Sequence, residues 1–142
     1  LPITDERMTR FNITLKQGVD FVIMCLDKMW GGELFIPKIP SYRIIDVAKA
    51  ISPEAKIKII GIRPGEKLHE EMITETDALN TIEFEDYFVI SPSTQLWDEE
   101  KFINESSIKK GKKCEFGFSY NSGTQKDFLS VKDIQKLIKE NL

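Results

Sequence analysis

The chain has 142 residues, of which 41% are hydrophobic and 30% charged, with a net charge of -3. That is the balance of a globular protein long enough to bury a core. It argues against a general nucleic-acid binder, which would be basic, and no apolar run is long enough to cross a bilayer. The two cysteines, Cys25 and Cys114, lie far apart and belong to no metal-spaced cluster, so neither a disulfide framework nor a metal centre is expected.

The opening, Leu1-Pro2-Ile3-Thr4-Asp5-Glu6-Arg7-Met8-Thr9-Arg10, is a dense polar loop around Met8. Thr14 with Gln17 then makes a capping box for a helix to Met29. Its stripe of Leu15, Val19, Val22, Leu26 and Met29 reads as core, with Cys25 beside it as a buried thiol. Gly31-Gly32 ends it. Glu33 to Ile36 reads as a short strand, and Ile45, Ala48 and Ile51 mark a second helix that Pro53 stops.

The most informative stretch follows. Ile57 to Ile62 is apolar and reads as a short buried strand. It stops at Arg63-Pro64-Gly65-Glu66, where Pro64 fixes its own φ and Gly65 permits a positive one. Leu68, Met72 and Ile73 suggest a short helix over Glu66 to Ile73. Arg63 offers a planar fork of donors suited to a phosphate, Glu66 an acceptor for two sugar hydroxyls, and a helix N-terminus beside them would favour an anion. Such a turn can clamp a nucleoside diphosphate; it can equally be an ordinary connection with a surface Arg–Glu pair.

Tyr87 to Ile90 is expected to be a strand. The acids Glu71, Glu75, Asp77, Glu83, Glu85 and Asp86 have no ligand geometry and read as a solvated face. Residues 91–113 are rich in charge, Ser and Lys, and the basic run Lys109-Lys110-Gly111-Lys112-Lys113 reads as a solvated turn, with an anion site as the lesser alternative. Cys114 to Phe118 reads as extended and Tyr120-Asn121-Ser122-Gly123 as a turn. Ser130 with Asp133 caps a last helix carrying Val131, Ile134, Leu137 and Ile138. His69, the only histidine, has no Ser or Cys partner in a recognisable motif and is assigned packing or solvent contact rather than catalysis.

Ile62-Arg63-Pro64-Gly65-Glu66-Lys67-Leu68-His69-Glu70 resembles the substrate-binding part of extended short-chain dehydrogenases/reductases that act on nucleotide sugars. The resemblance points to the inverting UDP-N-acetylglucosamine 4,6-dehydratase family of pseudaminic acid biosynthesis. It extends over Leu1 to Asp5, Met8-Thr9-Arg10-Phe11, Gly32 to Ser41, Phe84 to Phe88 and Tyr120 to Gly123. It implies an α/β fold: a small mixed α/β substrate-binding domain over residues 1–142. The Rossmann cofactor domain of the family would lie outside this chain. In keeping with that, no G-x-G-x-x-G turn is present, and none of Tyr42, Tyr87 and Tyr120 is followed four residues later by Lys. The chain also opens without Met. It therefore reads as the C-terminal portion of a longer enzyme, inactive alone, with no catalytic or cofactor-binding residue of its own.

The resemblance further implies contacts from Arg63 to the UDP pyrophosphate and from Glu66 to the ribose, with Arg10 and Thr4 near the nucleotide sugar. Arg7 reads rather as a salt-bridge residue. The intact enzyme would use NADP or NAD, oxidise the sugar at C4, eliminate water across C5–C6 and return the hydride to C6. It is expected to be a cytoplasmic homo-oligomer acting on a UDP-N-acetylhexosamine. A related UDP-sugar epimerase and a non-catalytic UDP-sugar-binding fragment are the alternatives.

Overall fold

A computed structural model describes residues 1–106 and 110–141. Four helices occur in the described residues: α1 Leu15–Lys28, α2 Ile44–Ile51, α3 Glu99–Glu105 and α4 Val131–Asn141. With short strands between them they make a mixed α/β fold, as the sequence predicts. The chain divides into two compact units. Unit 1 takes residues 1–14, 39–71 and 121–141; unit 2 takes residues 15–38 and 72–120.

In unit 1, Pro2–Ile3 pairs in parallel with Lys58–Ile59, and Thr9–Phe11 pairs antiparallel with Ser41–Arg43. Ser41 is fully buried and ties in a third segment: its N–H donates to the Asp127 carbonyl and its own carbonyl accepts from Leu129 N–H, each at 2.8 Å. Helices α2 and α4 pack together, with Ala48 and Ala50 of α2 and Ile134 of α4 buried. The predicted cap of α4 is present. Ser130 N–H donates to Asp133 Oδ2 at 2.9 Å, and Asp133 N–H donates back to Ser130 Oγ at 3.2 Å, filling donors that a helix start leaves open.

Unit 2 is built on a four-stranded antiparallel sheet in the order Leu34–Pro37, Tyr87–Ile90, Thr81–Glu83, Lys112–Lys113. Strand alternation sends Tyr87 and Val89 into a core with Ile82, Phe84 and Phe102. Phe88 faces the other way, against Phe118 and Tyr120. Phe102, fully buried, stacks on Trp97 at 4.4 Å between ring centres and meets Trp30 edge-on at 5.2 Å. Trp97 Nε1–H donates to the Gly31 carbonyl at 2.9 Å.

Several sequence expectations are corrected. The stripe of α1 is not core: Leu15, Val19, Val22 and Leu26 are all exposed, and no residue of α1 is fully buried. Phe21 and Met24, on another side of the helix, pack against the aromatic core instead; one bulky ring outweighs an aliphatic stripe in choosing the inward face. Cys25 is accordingly half-buried, and burial pushes its thiol pKa up. The charge-rich span 91–113, where the sequence reading named no helix, holds α3, whose Asp98 side chain accepts from Lys101 N–H at 2.9 Å. Around Cys114 to Phe118 the chain turns at Gly117 rather than extending, with Phe118 N–H on the Glu115 carbonyl at 3.1 Å.

The apolar run 57–62 is not a buried strand either. Only Lys58–Ile59 is paired, and Ile59, Ile60 and Ile62 are each more than two-fifths exposed. Residues 66–73 form no helix: they are irregular up to the strand Glu71–Ile73. Eight residues are too few to hold a helix without tertiary help. Here the tertiary partners claim the backbone for an extended path, since Leu68 O accepts from Thr9 N–H and Glu70 O from Ser122 N–H.

Candidate functional site

The segments 1–10 and 56–70 run side by side in unit 1. They are joined at one end by Lys58 N–H on Leu1 O and Ile60 N–H on Ile3 O, and at the other by Thr9 N–H on Leu68 O. Between these two ties lie two loops, 4–8 and 61–67. The first carries Thr4 and the second Arg63 and Glu66, and Arg10 follows the second tie. Three of the four sequence-predicted residues therefore belong to one pair of loops, and Arg10 lies in the strand Thr9–Phe11 that follows the first of them.

Within the second loop the turn is tight. Glu66 N–H donates to the Arg63 carbonyl at 3.1 Å, with Pro64 at the first corner and Gly65 at φ +84° at the second, the pattern of a type II turn. The Glu66 carboxylate reaches back: Oε2 accepts Arg63 N–H at 2.9 Å and Oε1 lies 4.0 Å from the Arg63 guanidinium. The Arg63 side chain is 68% exposed. With no helix here, the expected contribution of a helix N-terminus to anion binding falls away, and the charge for an anion comes from the guanidinium. Nothing within 4 Å would meet a Cβ at Gly65, so the cost of Gly65→Ala is backbone strain alone. It is expected to lower the unfolding free energy by about 1 kcal/mol, measured by chemical denaturation; an unchanged midpoint would mean that the turn takes another conformation.

Arg10 is placed differently. Nη1 donates to the carbonyls of Thr9 at 2.6 Å and Leu68 at 3.3 Å, Nη2 donates to the Lys67 carbonyl at 3.0 Å, and Nε lies 3.3 Å from the Glu70 carboxylate. The guanidinium is thus spent on its own chain, joining the end of the Arg63 loop to the strand Thr9–Phe11. Thr4 is half-buried at the start of the first loop. That loop is braced by Arg7, as the salt-bridge reading predicts: its Nε and Nη2 fork onto the Asp5 carboxylate at 3.0 and 2.8 Å. Arg7 holds the Asp5 carboxyl at a pKa of about 2, first through its side-chain hydrogen bonds and then through its backbone N–H. The brace is therefore kept until the pH falls toward that value.

Three residues that periodicity gave no reason to join are found together behind the loops: Thr9, His69 and Ser122. Thr9 Oγ1 lies 2.8 Å from both His69 Nδ1 and Ser122 Oγ. The only sequence signals were the single histidine and a turn with two small residues, Ser122-Gly123.

The described residues hold no group of three or more His, Cys, Asp or Glu side chains arranged to bind a metal. In the basic run, Lys112 and Lys113 each have an acidic partner among the described residues. Lys109 lies outside the described residues, Lys112 is 3.6 Å from Glu115, and Lys113 is 2.6 Å from Glu99. These lysines border a depression of about 380 Å³ in unit 2 with Cys114, whose thiol burial pushes up to about 11. A neutral thiol there is a poor nucleophile.

Among known proteins, a family profile described as "Polysaccharide biosynthesis protein" matches residues 1–92. The chain is 50% identical over 139 residues to a UDP-N-acetylglucosamine 4,6-dehydratase (inverting) of Campylobacter jejuni, covering 97% of this chain and 42% of that protein. It is 33% identical over 113 residues to a UDP-glucose 4-epimerase of Rickettsia canadensis, covering 77% of this chain and 33% of that one. The X-ray structure of Pen from Bacillus thuringiensis superposes with a TM-score of 0.76 at 28% identity, over 99% of this chain and 41% of the other. The chain thus spans about a third to two-fifths of the length of these relatives, and no described helix is long and apolar enough to cross a membrane.

Proposed function

The chain belongs to the polysaccharide biosynthesis protein family, and from that premise we propose that it is the C-terminal UDP-sugar-binding part of a UDP-N-acetylglucosamine 4,6-dehydratase of the C5-inverting kind, serving surface-glycan (pseudaminic acid) synthesis. The observation that carries this reading is the 50% identity, along nearly the whole chain, to a relative of that name. The geometry supports it at one point. The Arg63–Glu66 turn is exposed and rigidly cornered, and it presents a cation with a carboxylate three residues on. In this reading Arg63 takes the pyrophosphate and Glu66 the ribose hydroxyls, while Thr4 lies near the nucleotide sugar. Arg10, whose donors are occupied, acts mainly by holding the loop.

Binding of the non-reacting nucleotide orients the sugar for chemistry elsewhere. The chemistry belongs to residues outside this chain, as does the nicotinamide cofactor, NADP or NAD, which would accept and return the hydride. The intact enzyme is assigned to the cytoplasm as a homo-oligomer. The test has two arms. The chain alone is to be titrated with UDP by calorimetry, and incubated with UDP-N-acetylglucosamine and nicotinamide cofactor. Binding without formation of a 4-keto-6-deoxy sugar is expected; turnover by this chain alone would overturn the assignment. In the intact protein, a C4-epimerised product in place of the keto sugar would favour the epimerase instead.

A further inference from the structure

A short file of hydrogen bonds runs through the interior of unit 1. Thr9 and Ser122 are buried, the latter completely. Glu70 N–H donates to Ser122 Oγ at 2.9 Å, Ser122 Oγ is 2.8 Å from Thr9 Oγ1, and Thr9 Oγ1 is 2.8 Å from His69 Nδ1. The imidazole lies flat on Gly123, where a Cβ would come within 2.5 Å of Nδ1 and 2.6 Å of Cγ. Any side chain at 123 would therefore displace the ring.

The direction of the file follows from counting protons. A backbone N–H only donates, so Ser122 Oγ accepts from Glu70, and each hydroxyl has a single proton to give. If Ser122 gives its proton to Thr9, and Thr9 gives its own to His69 Nδ1, every proton has an acceptor. In the reverse direction Nδ1–H donates to Thr9 and Thr9 to Ser122. The Ser122 proton is then left without an acceptor among the described hydrogen bonds, inside a fully buried site, which is the costly arrangement.

We infer that this relay selects the His69 tautomer with its proton on Nε2, and that His69 is a positioning residue that keeps the two site loops in register. The mechanical link is short. His69 sits between Leu68, whose carbonyl receives Thr9 N–H and Arg10, and Glu70, whose carboxylate faces Arg10 and whose carbonyl receives Ser122 N–H. Thr9, Leu68, Glu70 and Ser122 are thereby tied at one node, one residue from the loop that carries Arg63 and Glu66. Its effect on ligand rests on the UDP-sugar reading above; the proton placement does not.

The experiment uses the ¹⁵N-labelled intact protein that contains this chain, at neutral pH, with the His69 imidazole signal assigned by its loss in His69→Gln. Nitrogen shifts are expected to show a bare Nδ1 and a protonated Nε2. Thr9→Val, which keeps the shape and removes the hydroxyl, is expected to mix the tautomers and to speed amide exchange at Glu70. It should also raise the Kd for UDP by about tenfold, while Thr9→Ser restores all three. Circular dichroism confirms that each variant is folded. A proton on Nδ1 in the wild type overturns the relay. A folded Thr9→Val that exchanges at Glu70 and binds UDP like the wild type overturns the positioning role. If the wild type does not bind UDP at all, the UDP-sugar reading fails, and exchange at Glu70 in Thr9→Val decides positioning by itself.

Discussion

Arg63→Ala is expected to raise the Kd for UDP by roughly 10- to 100-fold, whereas Lys67→Ala should change it less than about threefold. A charge-assisted bond from guanidinium to phosphate contributes about 1.5–3 kcal/mol, and each 1.4 kcal/mol is a decade in affinity. Arg63 is free to supply it. Among the described residues its one ion pair is the 4.0 Å approach to Glu66, and its side chain is largely exposed. What the turn does need from residue 63 is backbone: its carbonyl receives Glu66 N–H, and its N–H goes to the Glu66 carboxylate. Alanine keeps both. Lys67 contributes a carbonyl to Arg10, which alanine also keeps, and a lone exposed charge adds little. Glu66→Gln should be milder than Arg63→Ala, a severalfold loss, because an amide oxygen still offers an acceptor to both ribose and Arg63 N–H. Calorimetry with UDP, with circular dichroism as the folding control, measures all three. Wild-type affinity in Arg63→Ala would make the turn structural only.

Arg10→Ala should act on the fold before it acts on the ligand. It removes donors from the carbonyls of Thr9, Lys67 and Leu68 and the cation from Glu70. The side chain is 23% exposed, so part of the loss is made good by water. A cost of about 2–3 kcal/mol is expected, a fall in melting temperature of roughly 5–10 °C. Arg10→Lys should recover little, because one ammonium cannot span three carbonyls and a carboxylate. Thermal melts decide the matter: an Arg10→Ala protein that melts like the wild type and has lost UDP binding would return the guanidinium to the ligand.

Much of the fold was legible because it is set locally. The apolar spacing of α2 and α4, the Ser130 cap of α4, the strand Tyr87–Ile90 and the corner at Pro64-Gly65 are each decided by a few neighbouring residues. The failures share one cause. For residues 66–73 the helical spacing was real but weak, and the backbone went to partners near residues 9 and 122, more than fifty positions away. For α1 the aliphatic stripe was also real, but the inward face was chosen by Phe21 and Met24 meeting an aromatic cluster assembled from Trp30, Phe84, Trp97 and Phe102. In the loops, the residue types at 63 and 66 could be read directly. That Arg10 would be occupied, and that Thr9, His69 and Ser122 would meet, depends on pairing between distant segments and leaves no periodic trace.

The chain passes from one unit to the other after Thr14, Lys38, Glu71 and Tyr120. Domains strung in series can be traded between genes by one crossover; these cannot. Every single splice point leaves an incomplete unit on each side. To graft unit 2 from a relative, two separated inserts, 15–38 and 72–120, must arrive together. Hybrids joined at any one position should misfold more often than hybrids that exchange both inserts. Diversification within such a scaffold is then expected to proceed by point substitution in the loops rather than by shuffling of modules.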